Sequence, residues 1–590
     1  MLALVLSGCH DYRLEGAPTK PAGEDAETGT TPVTELTCPD LALPAAEPLA
    51  DPDPTCGAVK VMDWELTIEH AVHLGDGEPY YSAPVVVPLT LGAAPSIVLL
   101  SGYDGELWAI DGRTGALDVL EPMPNDIEFI AWGFSAATGE RVVAIGDDVD
   151  WGVSVSTAPG VWTHAAVAQG VAPGLRDVDR DGVPEILFGG TVRWLDGTVV
   201  ELPTRFRTLW EVAYGDGVDG APTFLTGDGH YALEGTQLAQ WPESAGQCNI
   251  SFLQTFPVYE GATSFLAVDG LGPLAMGLDG RATWSGISGD PRGYPEESGM
   301  AAALGDTDGD GAPDLCVAVD DRVVVVSADG TVLLDAPTGT EGAWRGAGCA
   351  LADLDADDNY EVISLSLAGL RLYDVETAAL LAHRDDVCGG YWEAPPVVAD
   401  VDGDDSAEIV VTGSPCDGSP GASLFVIGPQ SGRWARTRPI WNQAAYDPTV
   451  VADDGTIVTF PRSNPETLRA YRAQPARDGA RPDLVPEGLD ACAVSCEDGT
   501  VEVSVRVLNK GSVEAPAGTR IALYAGDTTF AEVASATLTD PVPAGWASAA
   551  VTLEVPVSEW GDQQLLEVAG ADECDVLNDR IELSLPDPCP

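Results

Sequence analysis

Residues 306–319 read DTDGDGAPDLCVAV, an acidic ladder with aspartates at loop positions 1, 3, 5 and 9 that runs straight into a β-branched stretch. The same spacing recurs without gaps at 177–190 (DVDRDGVPEILFGG), 353–366 (DLDADDNYEVISLS) and 400–413 (DVDGDDSAEIVVTG). The last three ladders begin 47 residues apart, and the first begins 129 residues before the second, which is three steps of 43. Two weaker copies should therefore lie between them, and 212–225 (VAYGDGVDGAPTFL) and 256–268 (FPVYEGATSFLAV) have the rhythm of strand, turn and strand without the acids. Two more precede the first ladder, at 83–100 (APVVVPLTLGAAPSIVLL) and 130–145 (IAWGFSAATGERVVAI), giving eight candidate units.

Repeats of this period decide the architecture before any single motif does. Each unit consists of short β-branched runs parted by Gly, Asp and Pro clusters, as in 322–335, where Asp329-Gly330 marks a hairpin turn. About four short strands per 43 to 47 residues, with no long amphipathic helix, predict an all-β chain whose units are the blades of a β-propeller. Closing the ring limits exposed strand edges. Seven or eight blades fit, because a terminal unit can be split between the two ends of the chain; a sandwich array or an open solenoid is the alternative. We place the propeller at 59–470. From Arg481 the texture changes to longer alternating strands (VEVSVRV, RIALY, VTLEVPV), which predicts an immunoglobulin-like β-sandwich over 481–590. Between them, Trp441 and Tyr446 are expected to pack the last blade or the domain junction.

The ladders carry the chemistry. Alternate side chains of a tight loop converge, so Asp177, Asp179, Asp181 and Glu185 should surround one point. The same holds for Asp306, Asp308, Asp310 and Asp314, for Asp353, Asp355, Asp357 and Glu361, and for Asp400, Asp402, Asp404 and Glu408. Four hard oxygens and a backbone carbonyl suit Ca²⁺, which accepts six to eight flexible ligands; Mg²⁺ demands a stricter octahedron and keeps its water. An EF-hand needs a bidentate Glu at position 12, where this chain has Phe188, Val317, Ser364 and Val411, so that motif is rejected. The pattern D-x-D-x-D-G-x-x-D/E before a β-run resembles the FG-GAP and VCBS repeats of integrin alpha-chain propellers and bacterial surface proteins. That resemblance covers about 60–430 and implies calcium-stiffened hairpins. Asp358 and Asp405 stand where the family has Gly, so those two sites are expected to bind more weakly. The terminal domain resembles CARDB-type adhesion modules through Arg481-Pro-Asp-Leu484, Asn509-Lys-Gly511 and ECDVLND at 573–579.

At the N-terminus, MLALVLSG precedes Cys9, and Leu6-Ser7-Gly8-Cys9 is similar to the lipobox of bacterial lipoproteins, which implies lipidation at Cys9 after a signal segment, 1–9. Residues 10–58, rich in Pro, Thr and acids, are expected to be a flexible tether. Twelve cysteines fit an exported protein; sequence order suggests Cys38 with Cys56, Cys388 with Cys416, and pairing among Cys492, Cys496, Cys574 and Cys589.

Composition narrows the partners. With 28 Lys plus Arg against 94 Asp plus Glu the net charge is −66, and only Lys20, Lys60 and Lys510 are lysines. Such a surface repels phosphate backbones and anionic lipids, which excludes nucleic acid and limits membrane association to a lipid anchor. Cations are its natural partners, although a salt-rich habitat favours the same surface. Catalytic constellations are poor. The six histidines are scattered, and Glu69-His70-Ala71-Val72-His73 lacks the H-E-x-x-H order. The stretch ELWAIDGRTG at 106–115 looks like one quinoprotein-type repeat but reads as an ordinary hairpin. The expectation is a non-enzymatic, calcium-binding lipoprotein of the bacterial envelope that binds an extracellular protein or glycan. The alternatives are an exported propeller enzyme of the polysaccharide lyase or quinoprotein type, with its active site in the central channel, and a passive envelope scaffold.

Overall fold

A computed structural model describes the chain between residues 43 and 583; the longest stretches left outside the description are 50–63, 202–212, 241–251, 286–301 and 339–347. Across 213–285 only strand backbones are described. Cys9, Cys38, Cys56, Cys496 and Cys589 lie outside the described residues, as does most of the expected tether.

Eight antiparallel sheets of the propeller type are found among the described residues. In chain order they occupy 85–122, 129–166, 174–201, 213–240, 252–285, 303–337, 349–384 and 397–429, and we number them blades 1 to 8. The four acid-free units each supply the first two strands of one blade, and the four ladders each supply the turn after the first strand and the second strand. Blade 8 takes its fourth strand from the other end of the chain: Leu66–Gly75 pairs antiparallel with Ala422–Pro429, from Leu66 opposite Pro429 to Gly75 opposite Ala422. The ring is thus closed by a split blade, and the count is eight.

Burial falls from the axis outward, and the sequence explains why. The first strand of a blade packs against neighbours on both faces, so Val85–Pro88, Phe129–Phe134, Cys349–Ala352 and Val397–Ala399 are buried at every position and read as unbroken apolar runs. Outer strands such as Leu117–Pro122 and Ala379–Arg384 bury one residue each and leave the rest half-buried or exposed. Burying each Val or Ile side chain contributes roughly 1.5–3 kcal/mol, so the inner strands carry most of the ring's cohesion.

The centre of the ring is filled by residues 434–478, and Trp441 and Tyr446, expected at the last blade or the domain junction, lie within this segment. Trp441 exchanges two backbone hydrogen bonds with Val86 of blade 1 (2.8 Å each), and the Asn442 carbonyl accepts from Trp132 N of blade 2 (2.9 Å). Gln443 Oε1 accepts from Leu175 N of blade 3 (2.9 Å). Tyr471 pairs with Leu304 of blade 6, Ala473–Gln474 runs parallel to the first strand of blade 7, and the Arg438 carbonyl accepts from Asp400 N of blade 8 (3.3 Å). These are the channel-side edges of the inner strands, so the segment is a plug. Inside it, Trp441 stacks on Tyr446 at 4.5 Å, and the Tyr446 hydroxyl donates to Gln474 Oε1 (3.1 Å). Arg438, 1% exposed, donates to Asp453 (2.8 Å) and to the Pro448 carbonyl (2.5 Å). An arginine that would read as surface is neutralised and fully bonded at the core of the molecule.

After the plug, two antiparallel sheets form the C-terminal sandwich. One contains Leu484–Ala493, Thr500–Asn509, Trp546–Ala547 and Val551–Pro556; the other contains Arg520–Gly526, Ala531–Thr537, Gln563–Ala569 and Arg580–Glu582. Their facing valines and leucines, Val501, Val503, Val505, Leu523, Leu553 and Leu566 among them, make one core. Glu47–Pro48, inside the stretch expected as a tether, adds a strand to the first sheet opposite Trp546–Ala547, and Glu47 pairs with Arg506 (2.8 Å).

Cys388–Cys416 forms within blade 8, as sequence order suggested, and Cys492 and Cys574 are each disulfide-bonded. Cys316–Cys349 was not anticipated: it joins the second strand of blade 6 to the first strand of blade 7. With a sequence separation of 33, the chain-entropy model gives this bridge about 3–4 kcal/mol. Cys316→Ser is expected to lower the chemical denaturation free energy by that amount, whereas a loss below about 1 kcal/mol would show that the blades hold without it.

Candidate metal centres

The four ladders occupy equivalent places in the fold. Each connects the first strand of a blade to the second, in blades 3, 6, 7 and 8, so all four lie on one face of the ring. Within each loop the backbone is wound around its own carboxylates. The position 1 aspartate accepts the amide of position 6: Gly182 N to Asp177 (2.8 Å), Gly311 N to Asp306 (2.7 Å), Asp358 N to Asp353 (3.2 Å) and Asp405 N to Asp400 (3.3 Å). The position 9 acid accepts the amide of position 2: Val178 N to Glu185 (2.8 Å), Thr307 N to Asp314 (2.9 Å), Leu354 N to Glu361 (2.7 Å) and Val401 N to Glu408 (2.9 Å). At position 5, Asp181, Asp310, Asp357 and Asp404 accept the amide two residues on, at 2.7–2.9 Å.

Such winding needs left-handed residues at two places. Position 6 is Gly182 (φ 79°), Gly311 (φ 80°), Asp358 (φ 75°) and Asp405 (φ 70°), so the two departures from Gly adopt the conformation that the ladder requires. Position 4 is left-handed as well, including at Arg180 (φ 62°) and Ala356 (φ 58°), residue types that do not signal it.

Carboxylate oxygens gather within 4.8 Å of one another in four groups that could hold a metal ion: Asp177, Asp179 and Glu185; Asp306, Asp308 and Asp314; Asp353, Asp355 and Asp357; Asp400, Asp402 and Asp404. Asp181 and Asp310 at position 5, and Glu361 and Glu408 at position 9, belong to the same loops but stand outside these close groups. Neighbours aim some of the ligands. Trp194 Nε1 donates to Asp179 (2.8 Å), and the Thr307 hydroxyl donates to Asp314 (2.6 Å). Neither residue is signalled by the ladder pattern.

The donor set fits a hard divalent cation on two observations. Glu185 Oε1, Asp314 Oδ1 and Asp355 Oδ1 are buried and have no hydrogen-bond partner, although Glu185 and Asp314 are 1% and 0% exposed. Buried carboxylate oxygens do not stand alone without large cost. Secondly, burial above all, with the neighbouring carboxylates adding to it, pushes the protons on: Glu185 rises to about 9, Asp353 to about 8, Asp314 to about 7, and Asp177 and Asp355 to about 6. Glu361 and Glu408 are also raised by burial.

The sign of the pH dependence follows. These groups hold protons in the fold at pH values where the unfolded chain has released them, so without a cation stability falls as pH rises from about 4 toward 9. A bound divalent ion satisfies the ionised form and removes that penalty. In EDTA the melting temperature should therefore drop steadily between pH 5 and pH 9, whereas in calcium it should not. Equal profiles would count against a cation in these loops.

Among the described residues no histidine joins the groups that could hold a metal ion. His70 Nε2 donates to the Arg113 carbonyl (3.0 Å), His164 lies 3.2 Å from Ser154 Oγ, and His383 lies 3.7 Å from Asp385. The quinoprotein-like stretch is the hairpin between the third and fourth strands of blade 1, and the Trp108 ring nitrogen donates to Glu106 (2.9 Å).

Fold and loops together define the class: an all-β protein in which an eight-bladed propeller carries acidic loops on one face and is followed by a sandwich. No protein-family model matches the chain, and no curated protein matches it. Among solved structures it is similar to the V. cholerae biofilm matrix protein Bap1, at 13% identity and a TM-score of 0.53, covering 72% of this chain and 99% of that one. More distant likenesses are BBS1N solved in complex with ARL6DN (10% identity, TM-score 0.38, 63% of this chain and 99% of that one) and the Myceliophteria thermophila Cps50 (Swd1) β-propeller domain (10%, 0.33, 61% and 99%). Among the described residues no helix is long and apolar enough to cross a membrane.

Proposed function

We propose that this chain is a calcium-binding, non-enzymatic surface protein of the FG-GAP/VCBS type, with a CARDB-like terminal module, that serves adhesion or ligand binding at the bacterial envelope. The observation that carries the reading is the set of buried carboxylate oxygens without partners, at Glu185, Asp314 and Asp355, in three of the four loops of one spacing. Calcium is favoured over magnesium because each loop offers more oxygens than an octahedron with retained water uses. When bound, the ion supplies charge neutralisation and stiffening; the chain's own residues shape the loops and hold them against the ring.

An adhesive role is supported by the disulfides, which fit an oxidising compartment, and by the biofilm matrix setting given for Bap1. A non-enzymatic reading is supported by the plug, since the channel that would house a propeller enzyme's active site is taken up by Arg438, Trp441, Tyr446 and Gln474. Lipidation at Cys9 belongs to the same proposal.

Titration of the metal-stripped protein with calcium tests the metal, and four ions bound per chain is the expected result. Glycan arrays and pull-downs with the calcium-loaded protein test the role. A saturable partner that is lost in EGTA is expected; its absence across both would favour a passive scaffold.

A further inference from the structure

We propose that cations in the loops of blades 3 and 7 fasten the C-terminal sandwich onto the propeller, so that divalent ion binding sets the placement of that domain. The inference rests on the calcium reading above and adds a consequence to it. Positions 4 and 6 adopt left-handed conformations and contribute no carboxylate to the close groups. On blades 3 and 7 residues at those positions touch the sandwich. Arg180, position 4 of blade 3, lies 5.8 Å over the ring of Phe530, and its carbonyl accepts from Gln563 Nε2 (3.5 Å). Asp358, position 6 of blade 7, is paired with Arg481, the residue that opens the sandwich. In a ring of eight, blades 3 and 7 stand opposite one another, so the sandwich is held at two points across the axis.

Between those points the junction is loosely filled. A cavity of about 380 Å³, lined by Arg438, Asp453 and Phe460 on the plug and by Asp575, Leu577 and Arg580 on the sandwich, lies between the two bodies. Further contacts at the junction are Arg477 with Asp575 (3.1 Å), and Phe460 edge-on to Phe530 at 4.8 Å, with Arg180 also over Phe460. Phe460 and Phe530 are thus bridged by the blade 3 loop itself. Because the blade 3 and blade 7 loops both meet the sandwich, their order bears on how firmly that domain is seated. Both loops are wound on Asp177 and Asp353, whose partners would repel one another when ionised and unbridged. The loops of blades 6 and 8 meet the plug instead: Arg469 of the plug donates to the Gly311 carbonyl, and Arg436 of the plug pairs with Asp405 (2.5 Å).

The full chain is compared in calcium and in EGTA by small-angle scattering and by trypsin cleavage after Arg477, with bound calcium counted in parallel. We expect EGTA to enlarge the radius of gyration and to speed junction cleavage at least ~tenfold, as local opening governs proteolysis. Asp179→Asn combined with Asp355→Asn should do the same in calcium, whereas Asp308→Asn in blade 6 should cost one ion and leave the junction closed. Arg481→Ala removes no ligand; it should loosen the junction with four ions still bound. Calcium binding with an unchanged junction in EGTA, or equal opening by Asp308→Asn, would overturn the coupling alone. An absence of calcium binding would overturn the metal reading on which it stands.

Discussion

Stripping calcium with a chelator should lower the melting temperature by roughly 10 to 20 °C, and restoring free calcium should reverse the loss. One ion held at about 100 times its dissociation constant adds about 2.7 kcal/mol, and four such sites in a single cooperative ring add on the order of 10 kcal/mol. For a chain of this length each kcal/mol moves the midpoint by about 1–2 °C, less than in smaller domains. The physical origin is local. In each loop three or four carboxylates crowd within a few ångströms, and Glu185, Asp314, Asp353 and Glu408 are buried. Without a cation they must either take up protons or repel one another, and both courses tax the fold at neutral pH. Magnesium at the same concentration should recover only part of the shift. Identical melting curves in EDTA and in calcium would remove the metal from the account.

How much of this was legible in the sequence depended on periodicity. The acidic ladders repeat with fixed spacing because one hairpin geometry is used four times, so Asp177, Asp306, Asp353 and Asp400 could be aligned by eye, and the acid-free units could then be found by counting. All eight correspond to blades. The split blade was legible only as an option, since nothing in Leu66–Gly75 names its partner across more than 350 residues. The plug was not legible at all. Its residues meet the ring one or two at a time, Trp441 on blade 1 and Tyr471 on blade 6, so no strand period develops. Its buried Arg438 and Gln474 are residue types that ordinarily mark a surface. Trp441 and Tyr446 were noticed as aromatic, but only the fold shows that they lie at the axis. The bridge between Cys316 and Cys349 was hidden for a related reason: the two cysteines lie in different blades, and their adjacency follows only from how neighbouring blades pack.

The seam of the ring is where a single atom should have the largest effect. Blades 8 and 1 meet through the turn at 111–115, which the sequence presented as a plain hairpin. Arg113 Nε donates to the carbonyl of Asp402, position 3 of the blade 8 loop (3.0 Å). From the closing strand, His70 donates to the Arg113 carbonyl (3.0 Å). Gly112 packs so tightly that a Cβ there would lie 2.1 Å from the Val401 carbonyl oxygen and 2.9 Å from Val401 Cβ. The obstacle is backbone, and it cannot rotate away: the Val401 amide is bound to the buried Glu408 (2.9 Å). Relief therefore requires moving the metal loop or parting the blades. Gly112→Ala is expected to cost about 3 kcal/mol, at the upper end of ordinary overpacking, and to reduce bound calcium from four ions to three by distorting the blade 8 cluster. Gly174→Ala serves as the control, because its nearest neighbour would be Leu187 Cβ at 4.0 Å; it should leave both denaturation and stoichiometry unchanged. If Gly112→Ala melts with the parent and still binds four ions, the two ends of the chain are not joined at this turn, and closure of the ring must be sought elsewhere.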